Sequence, residues 1–366
     1  MHHTIDKQQF SKALSALGVV VPKRYASEAI TDRVLIRGGR IVATDCNIYA
    51  ALSLRWGGIA EGEAVFPYSG LKAAAKGKGT MDLTAHNGTV SASGMSWPAG
   101  PVEDFPGTPK AVEETASVVV EGRPFREALA LGSLALAREE GRYLFDHVLL
   151  DIACGTMSVV TTDGRRMAQV QLEAFGQDGE TLPECFKGRV LVSPAGVKVL
   201  RYLADVQDGV RLSWTPEKLF AESSEGEVYI TLRDAAGFPD FRPHIDGHER
   251  TLLATVERKP FLEAMEACAN TEANLVATRF EFTVGGGIHL VTQTGSEAKY
   301  VGNVLASCER QECIHLRASY LVDALKALKA PAVEIRCGNP EDGIVLQAGS
   351  FRYLVMPVLI KVKKGE

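Results

Sequence analysis

The sequence predicts an α+β fold made of three repeated units, each with two helices packed on antiparallel sheet. Three observations predict it: a short amphipathic helix pattern opens each third of the chain, two apolar strands around a glycine turn follow, and a second helix comes next at a near-constant interval. Self-similarity at a fixed interval is typical of repeat architectures. We therefore expect one unit to be used three times along the 366 residues.

The first helix of each unit is marked by a phenylalanine followed four residues later by leucine or methionine. Positions four apart lie on the same face of a helix, so both side chains can enter one core. The pattern spans Phe10–Leu14, Phe125–Leu129 and Phe261–Met265. One such pattern would carry little information, but three in corresponding places indicate a repeat.

The strand pair of each unit consists of two apolar runs on either side of glycine. Apolar runs that bracket a glycine turn predict a β-hairpin. The three pairs are Val34–Arg37 with Ile41–Asp45, Val148–Ile152 with Met157–Asp163, and Phe280–Thr283 with Ile288–Thr292.

The second helix recurs over Tyr68–Lys76, Pro194–Leu203 and Ser319–Leu328. Leu71, Val197 and Val322 hold matching places in these segments, at intervals of 126 and 125 residues. Any α+β protein alternates helices and strands, but the near-constant interval favours a repeat. Proline- and glycine-rich segments separate the units, which predicts domains near residues 1–114, 115–249 and 250–366, the last with a short basic C-terminal tail.

Composition excludes several classes of protein. The chain is 46% hydrophobic and 23% charged, as in ordinary globular proteins, and it has no apolar run of the ~20 residues that a membrane span needs. Its start lacks the pattern of a secretory signal, so we expect a cytoplasmic location without membrane contact. The seven cysteines are scattered without metal-site spacing, so we expect no metal, no cofactor and no disulfide.

Five motifs in repeat order resemble the bacterial DNA sliding clamp, the β subunit of DNA polymerase III. Their residues are Asp104–Pro106, Thr161–Ala168, Gly237–Phe241, Ser319–Leu328 and Tyr353–Pro357. The resemblance covers essentially the whole chain. It implies a head-to-tail homodimer whose clamp-type domains close into a ring, with no catalytic activity. Duplex DNA would pass through the ring without sequence preference, and the polymerase III catalytic subunit, the clamp loader and other proteins with a clamp-binding motif would dock on it.

The resemblance also implies a pocket for partner peptides between the second and third domains. Phenylalanine, methionine and leucine would form an adaptable apolar floor, while Thr162 and backbone at glycine would supply polar groups. The matched positions are Phe145, Thr162, Gly164, Arg165, Arg166, Met167, Pro239, Leu354, Met356, Pro357 and Val358. The alternative is that these residues are ordinary sheet packing at a domain boundary.

Positive charge is concentrated on the second helices, although the whole chain carries a net charge of −5. Extended to Lys78, Asp205 and Lys329, these helices hold seven basic and two acidic residues, a net charge of +5. The basic residues are Lys72, Lys76, Lys78, Lys198, Arg201, Lys326 and Lys329. Such a surface can hold phosphates without reading sequence, although basic residues also occupy ordinary solvated helix faces. The resemblance adds Arg24 and, more weakly, Arg138, which Glu139 and Glu140 offset.

Met95 and Trp97 match the last strand of the first domain, where the family pairs edge to edge with the third domain of a second subunit. The matching third-domain segment, around Asn270–Asn274, is more polar than usual. An exposed apolar strand edge favours pairing of this kind.

Two alternatives to an ordinary clamp stay open. Pro243 and His244 replace the usual arginine and aliphatic residue, and the chain continues past Val358 into a basic tail ending Lys361–Glu366. These departures from the family pattern are compatible with a divergent paralogue that competes with or replaces a host clamp. An unrelated α+β enzyme is the other alternative, although the GxSxG, HExxH, Walker A and dinucleotide-binding patterns are missing from the sequence.

Overall fold

The computed structural model describes residues 1–22, 30–56, 61–110, 116–137, 144–245, 249–271, 277–294 and 298–358. The helices are α1 (Lys7–Leu17), α2 (Tyr68–Ala74), α3 (Gly122–Gly132), α4 (Pro194–Leu203), α5 (Arg242–Ile245), α6 (Arg258–Thr271) and α7 (Ala318–Ala327). The predicted first helices are confirmed as α1, α3 and α6, and the second helices as α2, α4 and α7.

The phenylalanines of the repeated pattern anchor the first helices in the core. Phe10, Phe125 and Phe261 are each 0% exposed. The residue four places later, Leu14 in α1 and Met265 in α6, is buried as well. Burial of one aromatic side chain stabilises the folded state by roughly 2–3 kcal/mol. This is more than intrinsic helix propensity contributes to segments as short as these.

The first half of the chain contributes β1 (His2–Asp6), β2 (Arg33–Arg37), β3 (Arg40–Thr44), β4 (Ile48–Ser53), β5 (Glu63–Pro67), β6 (Thr80–His86), β7 (Thr89–Ala92), β8 (Met95–Pro98), β9 (Ala116–Glu121), β10 (Val148–Ala153), β11 (Thr156–Thr162) and β12 (Arg166–Glu173). The second half contributes β13 (Lys187–Val192), β14 (Gly209–Trp214), β15 (Lys218–Ser223), β16 (Gly226–Thr231), β17 (Thr251–Glu257), β18 (Thr278–Thr283), β19 (Gly287–Thr294), β20 (Ala298–Val304), β21 (Ala306–Cys308), β22 (Glu312–Leu316), β23 (Ala332–Cys337), β24 (Ile344–Ala348) and β25 (Phe351–Val355). All three predicted hairpins are present, as β2–β3, β10–β11 and β18–β19.

The chain forms two compact units. The first comprises Met1–Leu129, Leu150–Met157 and Leu172–Ala235, and the second comprises Ala130–Leu149, Ser158–Gln171 and Ala236–Glu366. Strands β10, β11 and β12 contribute residues to both. The division into three domains near residues 1–114, 115–249 and 250–366 stays a prediction.

The first unit is built on two antiparallel sheets. An eight-stranded sheet has the order β5-β2-β3-β4-β16-β15-β14-β9, and a four-stranded sheet has the order β1-β6-β7-β8. Helix α1 packs against α4 and α2. Two of these helices begin at capping side chains, because Asp6 accepts hydrogen bonds from the backbone of α1 and Ser193 accepts one from Gly196 in α4.

The second unit repeats this plan. A run of strands has the order β12-β25-β24-β23-β17-β21, and a four-stranded sheet has the order β20-β19-β18-β22. Helices α6 and α7 pack against each other, and α6 also packs against β19 and β20. The α+β class and the repeated helix-on-sheet plan expected from the sequence are therefore confirmed.

Candidate peptide pocket, basic helices and strand edges

A cavity of about 220 Å³ opens in the second unit at the ends of strands β12 and β25. Its lining residues are Phe145, Thr162, Gly164, Arg166, Met167, Pro239, His244, Leu354 and Met356. Eight of the eleven pocket positions named from the sequence are thus brought together.

The floor of this cavity, here called the second-unit pocket, is apolar because two strands pair at its base. Met167 on β12 lies directly opposite Leu354 on β25, and both side chains are buried. Met356 follows β25 and is half-buried. Phe145 closes one side and packs edge-to-face on the buried ring of Phe238, with ring centroids 6.0 Å apart. The flexible methionines can adapt this surface to different apolar side chains.

A tight turn between β11 and β12 shapes the rim. The Asp163 carboxylate accepts hydrogen bonds from the backbone N–H groups of Arg165 and Arg166 at 2.9 and 3.0 Å. Gly164 has a φ of 82°, which glycine adopts without steric cost. The Thr162 hydroxyl donates to the carbonyl of Arg166 at 2.8 Å and accepts from the Gly164 N–H. Its proton is therefore engaged inside the turn, and it offers a partner only acceptor capacity.

Arg166 turns inward from the pocket into the unit. The residue is only 6% exposed. Its guanidinium donates to Asp163 at 2.9 Å, to Asp323 on α7 at 2.6 Å and to the hydroxyl of Tyr353 at 3.1 Å. The ring of Tyr320 lies 4.6 Å below the guanidinium carbon. A buried charge needs such partners, so Arg166 positions the turn rather than presenting a free charge.

The same partners keep the guanidinium of Arg166 protonated. Burial by itself would lower the pKa of the guanidinium, but Tyr353 and the carboxylates of Asp323 and Asp163 raise the pKa above its ordinary value. Burial also raises the pKa of the Tyr353 phenol. The cation and the neutral phenol therefore persist together across the physiological pH range.

Three sequence-named positions do not line the cavity. Arg165 is exposed, and its carbonyl accepts a hydrogen bond from the Met356 N–H at 2.9 Å. Pro357 and Val358 are half-buried beyond the cavity, and the Val358 N–H donates to the carbonyl of His315. His244 lines the cavity instead. The sequence marked His244 as a departure from the family pattern but not as a pocket residue.

All seven basic residues of the second helices are exposed: Lys72, Lys76, Lys78, Lys198, Arg201, Lys326 and Lys329. Lys326 forms an ion pair with Glu266 on α6 at 2.8 Å. Both acidic residues of these segments are already paired within their own units, because Asp205 binds Lys12 and Arg126, and Asp323 binds Arg166. The hydrogen bond from Lys12 lowers the pKa of Asp205, so its charge persists but is compensated.

Lys12 on α1 and Arg126 on α3 were missed by the sequence reasoning, which counted charge along the second helices alone. These two residues of the first helices lie beside Asp205 and compensate its negative charge. Arg24 and Arg138 lie outside the described residues, as do residues 272–276 of the polar third-domain segment and residues 359–366 of the tail.

Met95 and Trp97 lie on β8, which is an edge strand of its four-stranded sheet. Met95 is 42% exposed. Trp97 is half-buried over α2, where a Cβ at Gly70 would lie 2.7 Å from its ring. In the second unit, β20 is also an edge strand, and Val301 on it and Leu305 just after it are 51% and 91% exposed. The two edges therefore each present an exposed apolar side chain.

A cluster of metal ligands or a membrane-spanning helix would each point to a different kind of function. Within the described ranges, no group of three or more His, Cys, Asp or Glu side chains is arranged to hold a metal ion. None of the helices in those ranges is long and apolar enough to cross a membrane.

The chain is similar in sequence to proteins named beta sliding clamp. The one from Chlamydia trachomatis serovar D is 27% identical over 265 residues, which cover 70% of this chain and 60% of that protein. The one from Pseudomonas putida strain KT2440 is 22% identical over an alignment 384 positions long, which covers 98% of this chain and 100% of that protein. No protein-family model matches the chain.

Solved structures share the fold. A sliding clamp (DNA polymerase III subunit beta) from Pseudomonas aeruginosa, bound to griselimycin, has a TM-score of 0.83 at 22% identity and covers 98% of this chain and 100% of its own. The DNA polymerase III beta subunit from Thermotoga maritima has a TM-score of 0.82 at 17% identity, with coverage of 98% and 99%. The fold is therefore shared along nearly the whole chain.

Proposed function

We infer that this chain, a divergent member of the bacterial sliding clamp family, is a processivity factor that encircles duplex DNA and tethers a replicative polymerase to it. The observation that carries this function is the second-unit pocket. An apolar floor beside a polar rim is the kind of site that takes a short extended peptide with apolar anchors. A clamp needs such a site to hold partners that move with it.

The basic second helices support the DNA-binding half of the proposal. Exposed lysines and arginines bind phosphates through charge and make no sequence-dependent contact of their own. The seven basic residues outnumber the two acidic ones, both of which are paired, so these segments keep a net positive charge although Lys326 is paired with Glu266. Modest affinity suits a protein that must slide, since a closed ring is held on DNA by topology.

The two apolar edges support assembly into a head-to-tail homodimer. We propose that β8 of one copy pairs with β20 of its partner, twice per ring. Unpaired strand edges with exposed apolar side chains readily add a strand from another chain. Met95 and Val301 would then lie near each other at the interface, while Trp97 supports β8 from within its own subunit.

The proposed partners are duplex DNA, the catalytic subunit of DNA polymerase III, the clamp loader and other proteins with an apolar docking peptide. The proposed role is non-catalytic and requires no cofactor. The protein would act where its DNA is, in the cytoplasm.

A processivity assay on primed circular single-stranded DNA tests the proposal. With the polymerase and clamp loader of the same cell, adding the protein should lengthen the product of one binding event from tens of nucleotides to kilobases. Met356→Ala should shorten these products. Products of unchanged length with the unmodified protein would contradict the proposed function.

A specialised paralogue that competes with a host clamp is a second candidate, favoured by His244 in the pocket lining. The imidazole changes the polarity and size of one wall, so the set of accepted peptides should differ from that of a housekeeping clamp. Competition for one labelled polymerase peptide between this protein and a second clamp of the same cell would separate the two roles.

A further inference from the structure

The first unit contains a second cavity that repeats the geometry of the second-unit pocket. This cavity, here called the first-unit pocket, has a volume of about 240 Å³. Its lining residues are Thr44, Cys46, Asn47, Tyr49, Pro106, Gly107, Pro109, Lys218, Tyr229, Ile230 and Thr231. All of them belong to the first unit.

The turn at its rim repeats three of the hydrogen bonds in the turn of Asp163. The Asp45 carboxylate accepts from the N–H groups of Asn47 and Ile48 at 2.9 and 2.7 Å. The Thr44 hydroxyl accepts from the Cys46 N–H at 3.1 Å, the same distance as between Thr162 and Gly164.

The strand pairing below the turn also corresponds. Tyr49 lies opposite Tyr229, as Met167 lies opposite Leu354 in the second unit. The Thr231 N–H donates to the carbonyl of Asn47 at 2.8 Å, just as the Met356 N–H donates to Arg165. Each pocket is lined by a proline that follows a buried phenylalanine, Pro106 after Phe105 here and Pro239 after Phe238 there.

One residue of this turn, Cys46, has an energetically unfavourable backbone conformation. Cys46 has a φ of 70°, in the left-handed region where its counterpart Gly164 lies without strain. A non-glycine residue in this region costs on the order of 1–2 kcal/mol. The rim nevertheless keeps the conformation, which shows that the repeat geometry is imposed by the surrounding hydrogen bonds and strand pairing.

The chemistry of the two cavities differs at the floor and the edge. The first-unit pocket has an aromatic floor, in which Tyr49 and Tyr229 pack edge-to-face with centroids 6.0 Å apart and the Tyr49 hydroxyl lies 3.0 Å from that of Thr108. Lys218 is exposed beside its strand partner Thr231 and is the one charged group among the lining residues. Extending the register of β24 and β25 by one residue beyond Ile344 and Val355 puts Gly343, which has no side chain, at the corresponding position.

We propose that the first-unit pocket is a second docking site, specific for an extended peptide that carries an aromatic or large aliphatic anchor beside an acidic residue. The anchor packs on Tyr49 and Tyr229, and the carboxylate pairs with Lys218. The choice of a peptide as the occupant rests on the proposed function of the second-unit pocket, because the two cavities share their rim and strand pairing. One ring would then hold two chemically different classes of partner.

The test uses two acetylated, amidated and fluorescein-labelled hexapeptides that share one p-benzoylphenylalanine anchor. One carries two glutamates beside the anchor and the other carries two lysines. Affinity is measured by anisotropy, and the bound site is read from photo-crosslinks by mass spectrometry. The acidic peptide should crosslink to segments 44–49, 105–109 or 229–231 of the unmodified protein.

Lys218→Glu should weaken the acidic peptide about tenfold and strengthen the basic one. Lys187→Glu, the same change at an exposed lysine outside the cavity, should alter neither affinity. Met356→Ala should leave the acidic peptide unaffected, so failure of the second-unit pocket is distinguished from failure of this site. Crosslinks confined to the second unit would overturn the proposal, and so would an affinity for the acidic peptide that Lys218→Glu leaves unchanged.

Discussion

The guanidinium of Arg166 donates a 2.6 Å hydrogen bond to the carboxylate of Asp323, which joins the pocket strand β12 to helix α7. The two residues are 157 positions apart in the chain. The same contact compensates the negative charge of Asp323 on α7. The turn beside the pocket and the charge of one second helix are therefore linked through this ion pair.

Arg166→Gln should lower the free energy of unfolding of the protein by roughly 3 kcal/mol. The change removes a buried cation and leaves the partly exposed carboxylates of Asp163 and Asp323 without it, and breaking a pair that compensates a buried charge is costly. Guanidinium unfolding measures the effect. Arg211→Gln, which breaks a solvent-exposed pair with Glu222, should cost at most about 0.5 kcal/mol. Equal losses for the two variants would show that Arg166 is not the organising group of the turn.

Adding Asp323→Asn to Arg166→Gln should restore about 1 kcal/mol relative to the sum of the single changes. Residues in direct contact couple by this order of energy, whereas independent sites add. A complete double-mutant cycle by guanidinium unfolding gives the value. Strict additivity would mean that the hydrogen bond between the two side chains contributes nothing to stability.

Met356→Ala should weaken the binding of an apolar docking peptide by roughly 1–2 kcal/mol, or about fivefold to thirtyfold. The side chain is half-buried at the cavity floor, so the fold should survive its truncation. Calorimetric titration of a polymerase-derived peptide measures the change. Val284→Ala removes an exposed apolar group that does not line the cavity and should have no effect. Unchanged affinity for Met356→Ala would place partner docking elsewhere.

Replacing Lys72, Lys76 and Lys78 with glutamate should weaken retention on DNA and flatten its salt dependence. The slope of log affinity against log salt should fall by about one for each DNA phosphate that the variant no longer neutralises. The same reversal at Lys110 and Lys187, which are exposed outside the second helices, should leave the slope unchanged. A triple variant with the original slope would show that α2 and the residues after it do not face DNA.

Val301→Lys should shift the protein from dimer to monomer. A lysine on an edge strand opposes edge-to-edge pairing, because its charge would have to be desolvated at the interface. Sedimentation velocity at micromolar concentration measures the shift. Val284→Lys, at an exposed turn between β18 and β19, is the matched control and should remain dimeric. Dimers of equal stability in both variants would exclude β20 as the interface.

Local pattern predicted most of the fold. The repeated phenylalanine, the glycine turns and the interval between second helices predicted the first and second helix of each repeat and the three hairpins β2–β3, β10–β11 and β18–β19, since periodicity indicates which face of an element is buried. The apolar floor of the second-unit pocket was predicted by the resemblance to the sliding clamp family, because its residues match positions of the family's peptide pocket.

Long-range side-chain contacts could not be predicted in this way. Nothing near Arg166 in the sequence indicates that Asp323 and Tyr353 will receive its guanidinium. The first-unit pocket was not predicted from the sequence for another reason. At its positions, tyrosines replace Met167 and Leu354, and a cysteine replaces Gly164. The shared Thr–Asp pair at 44–45 and 162–163 was the signal that could have revealed it.

Topological retention on DNA tests the proposed ring most directly. The protein is loaded by a bacterial clamp loader onto nicked circular DNA, and the complex is then passed through a sizing column before and after the circle is cut once. A ring should stay on the circle at high salt and should be lost when the DNA is linear, because it slides off the ends. Equal retention on circular and linear DNA, or release from the circle by salt alone, would contradict encirclement.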